Sequence, residues 1–430
     1  MFKASLLNSG MRGLSLVSKA AALLFIARVL TPAELGVYGL FVATIGYSVF
    51  VLGMEFYTFS TREFLRDGPG SVARYIRDQA VFHLALYAVL MPALWAVFFF
   101  GYLPYRYAVW FYLVLILEHA FRELYRILVA LMRPLQANLI FFLASGLWPW
   151  FAVPLMSFRQ QSRSLQTIWA SWALSQALGL ACAAWFLRDM EWRLALASRC
   201  DWRWIWRGVL KSVPLLGASL SLSAITTLDR FFIKHYLDDS MVGFYVFFAN
   251  IAYAIFAFLD SGVVSIYYPR IVSSFQEGRY RDYVRNVREL AKQMIVGLAI
   301  LMTLAVLGIF PLLRLLHRPN YSSHLAVYWI MLGVIAAWSL GLVPHYALYA
   351  KRHDKAIVFS NFLGLLTSIV GYVYLIPRYG IRGAAVSVLL AMSVVAFAKL
   401  VFSSLVFSGK NPEPAQPQTA VLKCDVEGVV

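Results

Sequence analysis

A cluster of ionisable side chains interrupts one long apolar segment, which runs from Tyr107 to Leu131. Five such groups fall within nine consecutive positions of that segment, at Glu118, His119, Arg122, Glu123 and Arg126. On a helix, residues four positions apart lie on one face, so Glu118 can pair with Arg122, and His119 can pair with Glu123. A charge at the centre of a bilayer costs roughly 2.5–3.5 kcal/mol, so the cluster must face protein or water.

Two interpretations of this cluster stay open at the level of sequence. One is a closed ladder of ion pairs between helices. The other is a cationic cavity wall for an anionic headgroup, for which arginine is suited because its planar fork matches phosphate oxygens. We predict Arg122 and Arg126 as substrate-binding residues. Glu118, His119 and Glu123 are predicted to form an ion-coupling or intramembrane polar network.

Three further intramembrane charges are candidates for function. Asp229 and Arg230 are adjacent, so their side chains point about 100° apart on a helix and each needs a partner elsewhere. We expect either a clamp between helices or a substrate contact, and we predict Arg230 as a substrate-binding residue and Asp229 as part of the ion-coupling or intramembrane polar network. Asp260 is a candidate proton or cation relay. We find no metal cluster, glycine-rich phosphate loop or nucleophile constellation, so the sequence predicts no metal, no cofactor, no catalytic residue and no enzyme activity.

The composition requires a bilayer around these charges. Hydrophobic residues make up 61% of the 430 positions and charged residues 14%, against roughly 45–50% and about 25% in soluble chains. A helix needs about 20 apolar residues to span the membrane. The sequence therefore predicts an all-α integral membrane protein with about twelve transmembrane helices in two pseudo-symmetric six-helix bundles. The predicted spans are Gly13–Leu30, Gly36–Phe59, Ala80–Tyr102, Tyr107–Leu131, Leu135–Phe158, Leu165–Leu187, Ser212–Tyr236, Val242–Tyr268, Ala291–Leu316, Leu325–Ala350, Ala356–Ile376 and Ile381–Phe407.

Four domains follow from these spans. Residues 1–190 and 212–407 form the two bundles, 191–211 a cytosolic interfacial linker, and 408–430 a Pro- and Gln-rich tail that we predict to be disordered. Lysine and arginine concentrate in alternate loops, around 62–77, 188–211, 270–292 and 351–355. By the positive-inside rule these loops and both termini lie in the cytosol. The net charge of +17 thus reflects topology, and we expect no nucleic acid partner.

An internal repeat links the two halves. The segments LTPAELGVY (Leu30–Tyr38) and LDDSMVGFY (Leu237–Tyr245) share three of nine residues at a constant offset of 207 positions. Each joins the first and second spans of its half, so both halves insert with the same orientation. Two homologous bundles that face each other indicate a transporter whose site lies between them.

Four segments resemble the polysaccharide transporter, or O-antigen flippase, family of the multidrug/oligosaccharidyl-lipid/polysaccharide exporter superfamily. They are ARVLTPAELGVYGLF (Ala27–Phe41), LDRFFIKHYLDDSMVGFY (Leu228–Tyr245), YYPRIVSSFQEGRY (Tyr267–Tyr280) and LIPRYGIRGAAVS (Leu375–Ser387). The resemblance implies alternating access between two bundles and a cationic cavity. It also implies a bacterial inner-membrane flippase that moves a polyprenyl-diphosphate-linked oligosaccharide from the cytosolic to the periplasmic leaflet, coupled to a proton or sodium gradient.

Two other functions stay open. One is a cation-coupled multidrug antiporter on the same fold, which would favour an acidic, aromatic cavity. The other is a non-transporting membrane scaffold of a glycan-assembly complex. The expected partners are a lipid-linked anionic oligosaccharide and membrane lipids, with a polysaccharide polymerase and other glycan-assembly proteins as candidates.

Overall fold

The computed structural model describes residues 2–408, and every regular element in that range is helical. The predicted tail, apart from Ser408, lies outside the described residues. Twelve long helices follow one another along the chain. They are α1 (Phe2–Val29), α2 (Pro32–Gly53), α3 (Val72–Phe99), α4 (Ala108–Ala130), α5 (Pro134–Phe158), α6 (Leu165–Leu187), α7 (Trp202–Ile225), α8 (Asp239–Gln276), α9 (Tyr280–Leu316), α10 (Pro319–Ala350), α11 (Asp354–Tyr379) and α12 (Ile381–Ser408).

The predicted fold class is confirmed. Ten of these helices are long and apolar enough to cross a membrane. The other two, α1 and α4, have comparable lengths, and each has four Asp, Glu, Lys or Arg side chains distributed along it. The chain is a multi-pass, all-α membrane protein.

Some helix boundaries differ from the predicted ones. The predicted seventh span divides into α7 and a nine-residue helix, Leu228–Tyr236, because the ladder of backbone hydrogen bonds stops at Thr226 and Thr227. The second span ends at Gly53, where Met54 and Glu55 take left-handed φ values of 46° and 52° before a short helix, Phe56–Asp67.

The basic stretch before the ninth predicted span is helical. It continues directly into α9, which is 37 residues long. No proline occurs in α9 before Pro311, so nothing interrupts the hydrogen-bond ladder as the helix passes from its basic to its apolar part.

The predicted linker region is partly built into α7. Trp202 and Trp206 are exposed, as an interfacial helix requires, but Trp204 is only 1% exposed. Its ring packs against Phe56, Phe59 and Tyr75 at centroid distances of 5.3, 5.3 and 4.8 Å. The first turns of α7 therefore pack on the N-terminal half, and its later turns pack on α11.

The Trp148-Pro149 step distorts α5 without ending it. Pro149 has no backbone N–H and would clash with the preceding turn, and the helix widens to a π-type segment over Phe142–Gly146 just before it. The Ser175 hydroxyl of α6 donates to the carbonyl of Ala144 at 3.2 Å, which satisfies one carbonyl of the distorted turn. Trp148 is thereby directed inwards and is 6% exposed.

The two halves touch most closely where α2 and α8 begin. A Cβ built on Gly36 would lie 1.9 Å from the carbonyl oxygen of Asp239, and one built on Gly243 would lie 1.9 Å from that of Pro32. Both residue pairs, 36 with 243 and 32 with 239, are separated by the repeat offset of 207. Only glycine allows two backbones to approach this closely, so the repeat packs against its own copy about a local two-fold axis.

The same symmetry extends to the helix caps. Thr31 caps α2 by accepting from the Glu34 N–H at 3.2 Å, and Asp238 caps α8 by accepting from the Met241 N–H at 2.9 Å. These caps satisfy backbone donors at both helix starts. The contact fixes the geometry of one end of the interface, and a cavity opens further along α2 and α8.

A cationic cavity between the two halves

A cavity of about 500 Å³ lies between the halves. Its walls come from α1, α2, α4, α5, α6, α8 and α9, and from the short helix Leu228–Tyr236. Four charged side chains line it, namely Lys19, Glu118, Arg122 and Arg230. The structure therefore brings three of the predicted site residues together with one cation that the sequence analysis did not single out.

Glu118 and Arg122 form the pair expected from their spacing on α4. Arg122 Nε donates to Glu118 Oε1 at 3.0 Å, and the second carboxylate oxygen accepts from the Gln176 amide of α6. The Glu118 side chain is 9% exposed, whereas that of Arg122 is 34% exposed. The carboxylate thus orients the guanidinium, and the remaining N–H groups of Arg122 are free to face the cavity.

Arg230 enters the cavity from the second half. Its neighbour Asp229 is fully buried and accepts from the Arg230 backbone N–H and from the Tyr245 hydroxyl, both at 2.7 Å. Asp229 is thus held by backbone and phenol groups. Within residues 2–408 Arg230 forms no salt bridge, and its buried Nε has no hydrogen-bond partner. Its guanidinium is therefore available to an anion.

Lys19 is the cation that sequence reasoning missed. The predicted first span starts at Gly13, which would place Lys19 within two turns of a span end, where a lysine can extend its ammonium to the membrane surface. Instead α1 begins at Phe2, so Lys19 sits near the middle of a 28-residue helix and lines the cavity. Its ammonium lies 5.6 Å from the Phe141 ring centroid. The continuous apolar stretch begins only at Gly13, so no signal in the sequence indicated that the helix starts at Phe2.

The sum of these charges is positive. Three cations and one carboxylate give the walls a formal charge of +3 − 1 = +2. Their Coulomb interaction with a ligand is weakly screened, since the effective dielectric constant inside a protein is well below that of water. A cavity of this sign favours anions and disfavours organic cations.

Aromatic and uncharged polar groups complete the lining. Trp148 and Trp172 provide flat apolar faces, and Tyr38, Asn250 and Tyr253 provide polar atoms. The buried Tyr253 hydroxyl has no hydrogen-bond partner within the described residues. These are groups that can stack on and hydrogen-bond to sugar rings.

The other charged residues of the α4 cluster, together with Gln79 and Tyr57, form a separate group outside the cavity. Arg126 Nη1 donates to Glu123 Oε1 at 2.8 Å, and its guanidinium lies 3.8 Å from the Tyr57 ring centroid. The Gln79 amide donates to the second Glu123 oxygen at 2.6 Å, and His119 Nε2 lies 4.0 Å from Oε1. None of these groups lines the cavity. The sequence cluster therefore divides: Glu118 and Arg122 line the cavity, whereas Glu123 and Arg126 pair with each other outside it.

Asp260 also lies away from the cavity. It starts a second π-type segment, Asp260–Val264, within α8, and it is exposed. Trp150, which follows Pro149 in α5, is 58% exposed and donates to the Ser18 hydroxyl at 3.1 Å. Across the described part of the chain, no three His, Cys, Asp or Glu side chains are grouped as a metal site requires.

Several solved structures with a similar fold are described as transporters. No family model and no curated protein matches the chain. An inward-facing multidrug resistance MATE family transporter of the MOP superfamily aligns with a TM-score of 0.73 at 12% identity, covering 92% of this chain and 94% of the other. An outward-facing transporter of the same description gives a TM-score of 0.60 at 14% identity, covering 94% and 96%.

A third similar structure is a MOP superfamily transporter from Pyrococcus furiosus. It aligns with a TM-score of 0.64 at 12% identity and covers 94% of each chain. Its description states that the reverse polarity of its binding pocket suggests a different function. At these identities the similarity establishes the fold of the present chain, a twelve-helix MATE-like architecture.

Proposed function

We propose that this protein is a flippase that moves a polyprenyl-diphosphate-linked oligosaccharide across the bacterial cytoplasmic membrane by alternating access. The observation that carries this proposal is the placement of Lys19, Arg122 and Arg230 around one cavity with a single carboxylate. A diphosphate has several anionic oxygens, and guanidinium groups bind such oxygens through paired N–H donors.

The remaining lining suits the glycan of such a substrate. Trp148 and Trp172 offer faces for sugar rings, and Asn250 and Tyr253 offer hydrogen-bonding groups. The polyprenyl chain would stay in the lipid bilayer, because exposing its apolar surface to water is unfavourable. In this proposal Arg126 and Glu123 hold α4 in place from outside the cavity, and Asp260 is a candidate for coupling to an ion gradient.

The contact between α2 and α8 provides the basis for alternating access. With both termini in the cytosol, as the charge distribution of the loops favours, the Gly36–Gly243 contact closes the periplasmic side. The cavity then faces the leaflet in which a lipid-linked oligosaccharide is made. The two bundles, residues 1–190 and 212–407, would tilt relative to each other about the α2–α8 contact. This movement would open the cavity to the periplasmic side.

A multidrug antiporter is the second candidate, since similar structures are described as multidrug resistance transporters. The sign of the cavity charge argues against a cationic drug as substrate. A scaffold without transport is supported less well, because it gives no reason for three cations to converge on one cavity.

Reconstitution separates these functions. The purified chain is placed in liposomes with a fluorescent polyprenyl-diphosphate oligosaccharide, and the movement of the glycan between leaflets is followed by quenching from outside. We expect translocation that depends on the protein, and no increase in cationic dye tolerance of cells that express it. Dye efflux with no movement of the glycolipid would contradict the proposal and favour the antiporter, and neither activity would favour the scaffold.

A further inference from the structure

A second and smaller cavity lies inside the C-terminal half, between α7, α10 and α12. Its volume is about 40 Å³. Roughly 10–15 Å³ of such space is enough for one water-sized species. The cavity can therefore hold one or two small species, and it is separate from the central cavity between the halves, with which it shares no lining residue.

Lys399 of α12 faces this cavity and is only 4% exposed. It lies eighteen positions after Ile381 and nine before Ser408, roughly 27 Å and 13 Å from the two helix ends at 1.5 Å per residue. Its ammonium is directed into the protein rather than towards the membrane surface. Within residues 2–408 Lys399 forms no salt bridge and no hydrogen bond.

The other polar side chains around the cavity are also nitrogen groups. They are His345, whose Nδ1 is buried without a hydrogen-bond partner, and Trp338. The remaining lining residues are Leu222, Ala337, Gly341, Leu342, Met392, Val395 and Ala396. No lining side chain carries an oxygen atom, so a metal cation would find no carboxylate, whereas an anion would find an ammonium and ring N–H groups.

At 4% exposure, the charge of Lys399 has little contact with bulk water or lipid. Trp338 stacks on Phe256 of α8 at a centroid distance of 4.1 Å, which covers one side. An isolated charge in such surroundings is costly, and buried charges in proteins are normally paired. A small anion would supply the missing partner without requiring a larger space.

We propose that this cavity is a binding site for a small monovalent anion of halide type, held by the Lys399 ammonium and the His345 imidazole. The bound anion bridges α12 and α10 and stabilises the C-terminal half. The proposal is independent of the transported substrate, because it concerns a different cavity.

The test is thermal unfolding of the full-length protein in detergent, at constant ionic strength, with sodium gluconate replaced stepwise by sodium bromide. A ligand that binds only the folded state raises the melting temperature as its concentration passes the Kd. We expect a saturable rise for the wild-type protein, its loss in Lys399→Met, and its retention in Arg122→Gln, which removes a cation from the central cavity only.

Three results would overturn the proposal: no bromide dependence in the wild type, an equal rise in Lys399→Met, or loss of the rise in Arg122→Gln. The first would mean that Lys399 is uncharged in the folded protein and needs no counter-ion. If Lys399→Met does not fold, crystals of the wild-type protein grown in bromide decide the question. An anomalous peak between Lys399 and His345 supports the site, and its absence there overturns it.

Discussion

Replacing Arg122 and Arg230 together with glutamine is expected to reduce translocation of the lipid-linked oligosaccharide by roughly 100-fold or more. Each guanidinium provides charge-assisted hydrogen bonds worth about 1.5–3 kcal/mol, and every 1.4 kcal/mol is a factor of ten. Arg122 contributes from the first half and Arg230 from the second, so the double change removes an anion contact from both walls. The measurement is glycolipid movement in liposomes that contain matched amounts of each protein.

Arg126→Gln is the matched control. It lies one turn beyond Arg122 on α4, outside the cavity, and pairs with the buried Glu123. Removing one partner of a buried pair costs about 3–5 kcal/mol of stability, so this variant should melt earlier but retain translocation per folded molecule. Unchanged transport in the double variant, or an equal loss in Arg126→Gln, would remove the cavity arginines from the mechanism.

Gly36→Ala is expected to hold the periplasmic side open. The new Cβ would lie 1.9 Å from the Asp239 carbonyl oxygen, so the α2–α8 contact cannot form without a backbone shift. Overpacking of this kind costs typically 1–3 kcal/mol, which displaces a two-state equilibrium by roughly 5–150-fold. We expect translocation to fall and a cysteine introduced at Tyr38, which lines the cavity, to react several-fold faster with an impermeant thiol reagent added from the periplasmic side.

Gly308→Ala controls for the loss of a glycine, because a Cβ at that position on α9 has no atom within 4 Å. This variant should leave both the translocation rate and the labelling rate of the cysteine at position 38 unchanged. Gly243→Ala should reproduce the effect of Gly36→Ala, since it would contact the Pro32 carbonyl oxygen at the same distance. If Gly36→Ala slows labelling of the Tyr38 cysteine, the contact does not close the periplasmic side.

Much of the architecture followed from the sequence, because the bilayer imposes one length and one polarity on each span. The repeat was also visible, as the offset of 207 positions equals the separation of the two glycines that meet in the structure. Helix continuity was harder to predict. Whether Ser212–Tyr236 is one helix depends on the backbone hydrogen bonds at Thr226 and Thr227. A hydropathy profile does not predict these bonds.

The candidate site was only partly predictable. Spacing identified the Glu118–Arg122 pair, because i,i+4 geometry is local. It could not show that Arg122 faces the cavity while Arg126 packs on Tyr57, since that depends on which distant segments pack beside each turn of α4. Lys19 and Tyr253 belong to the site through contacts between distant segments, which no local pattern records.

The most direct test of the central claim is whether an anionic glycolipid occupies the cavity. Asn250 lines it and can be replaced by cysteine in a protein whose own cysteines, Cys182, Cys200 and Cys424, are changed to serine. Labelling of that cysteine is measured with a polyprenyl-diphosphate oligosaccharide, with the same glycolipid lacking its diphosphate, and with a cationic dye. Protection by the diphosphate form alone is the predicted result, and protection by the dye, or equal protection by both glycolipids, would contradict it.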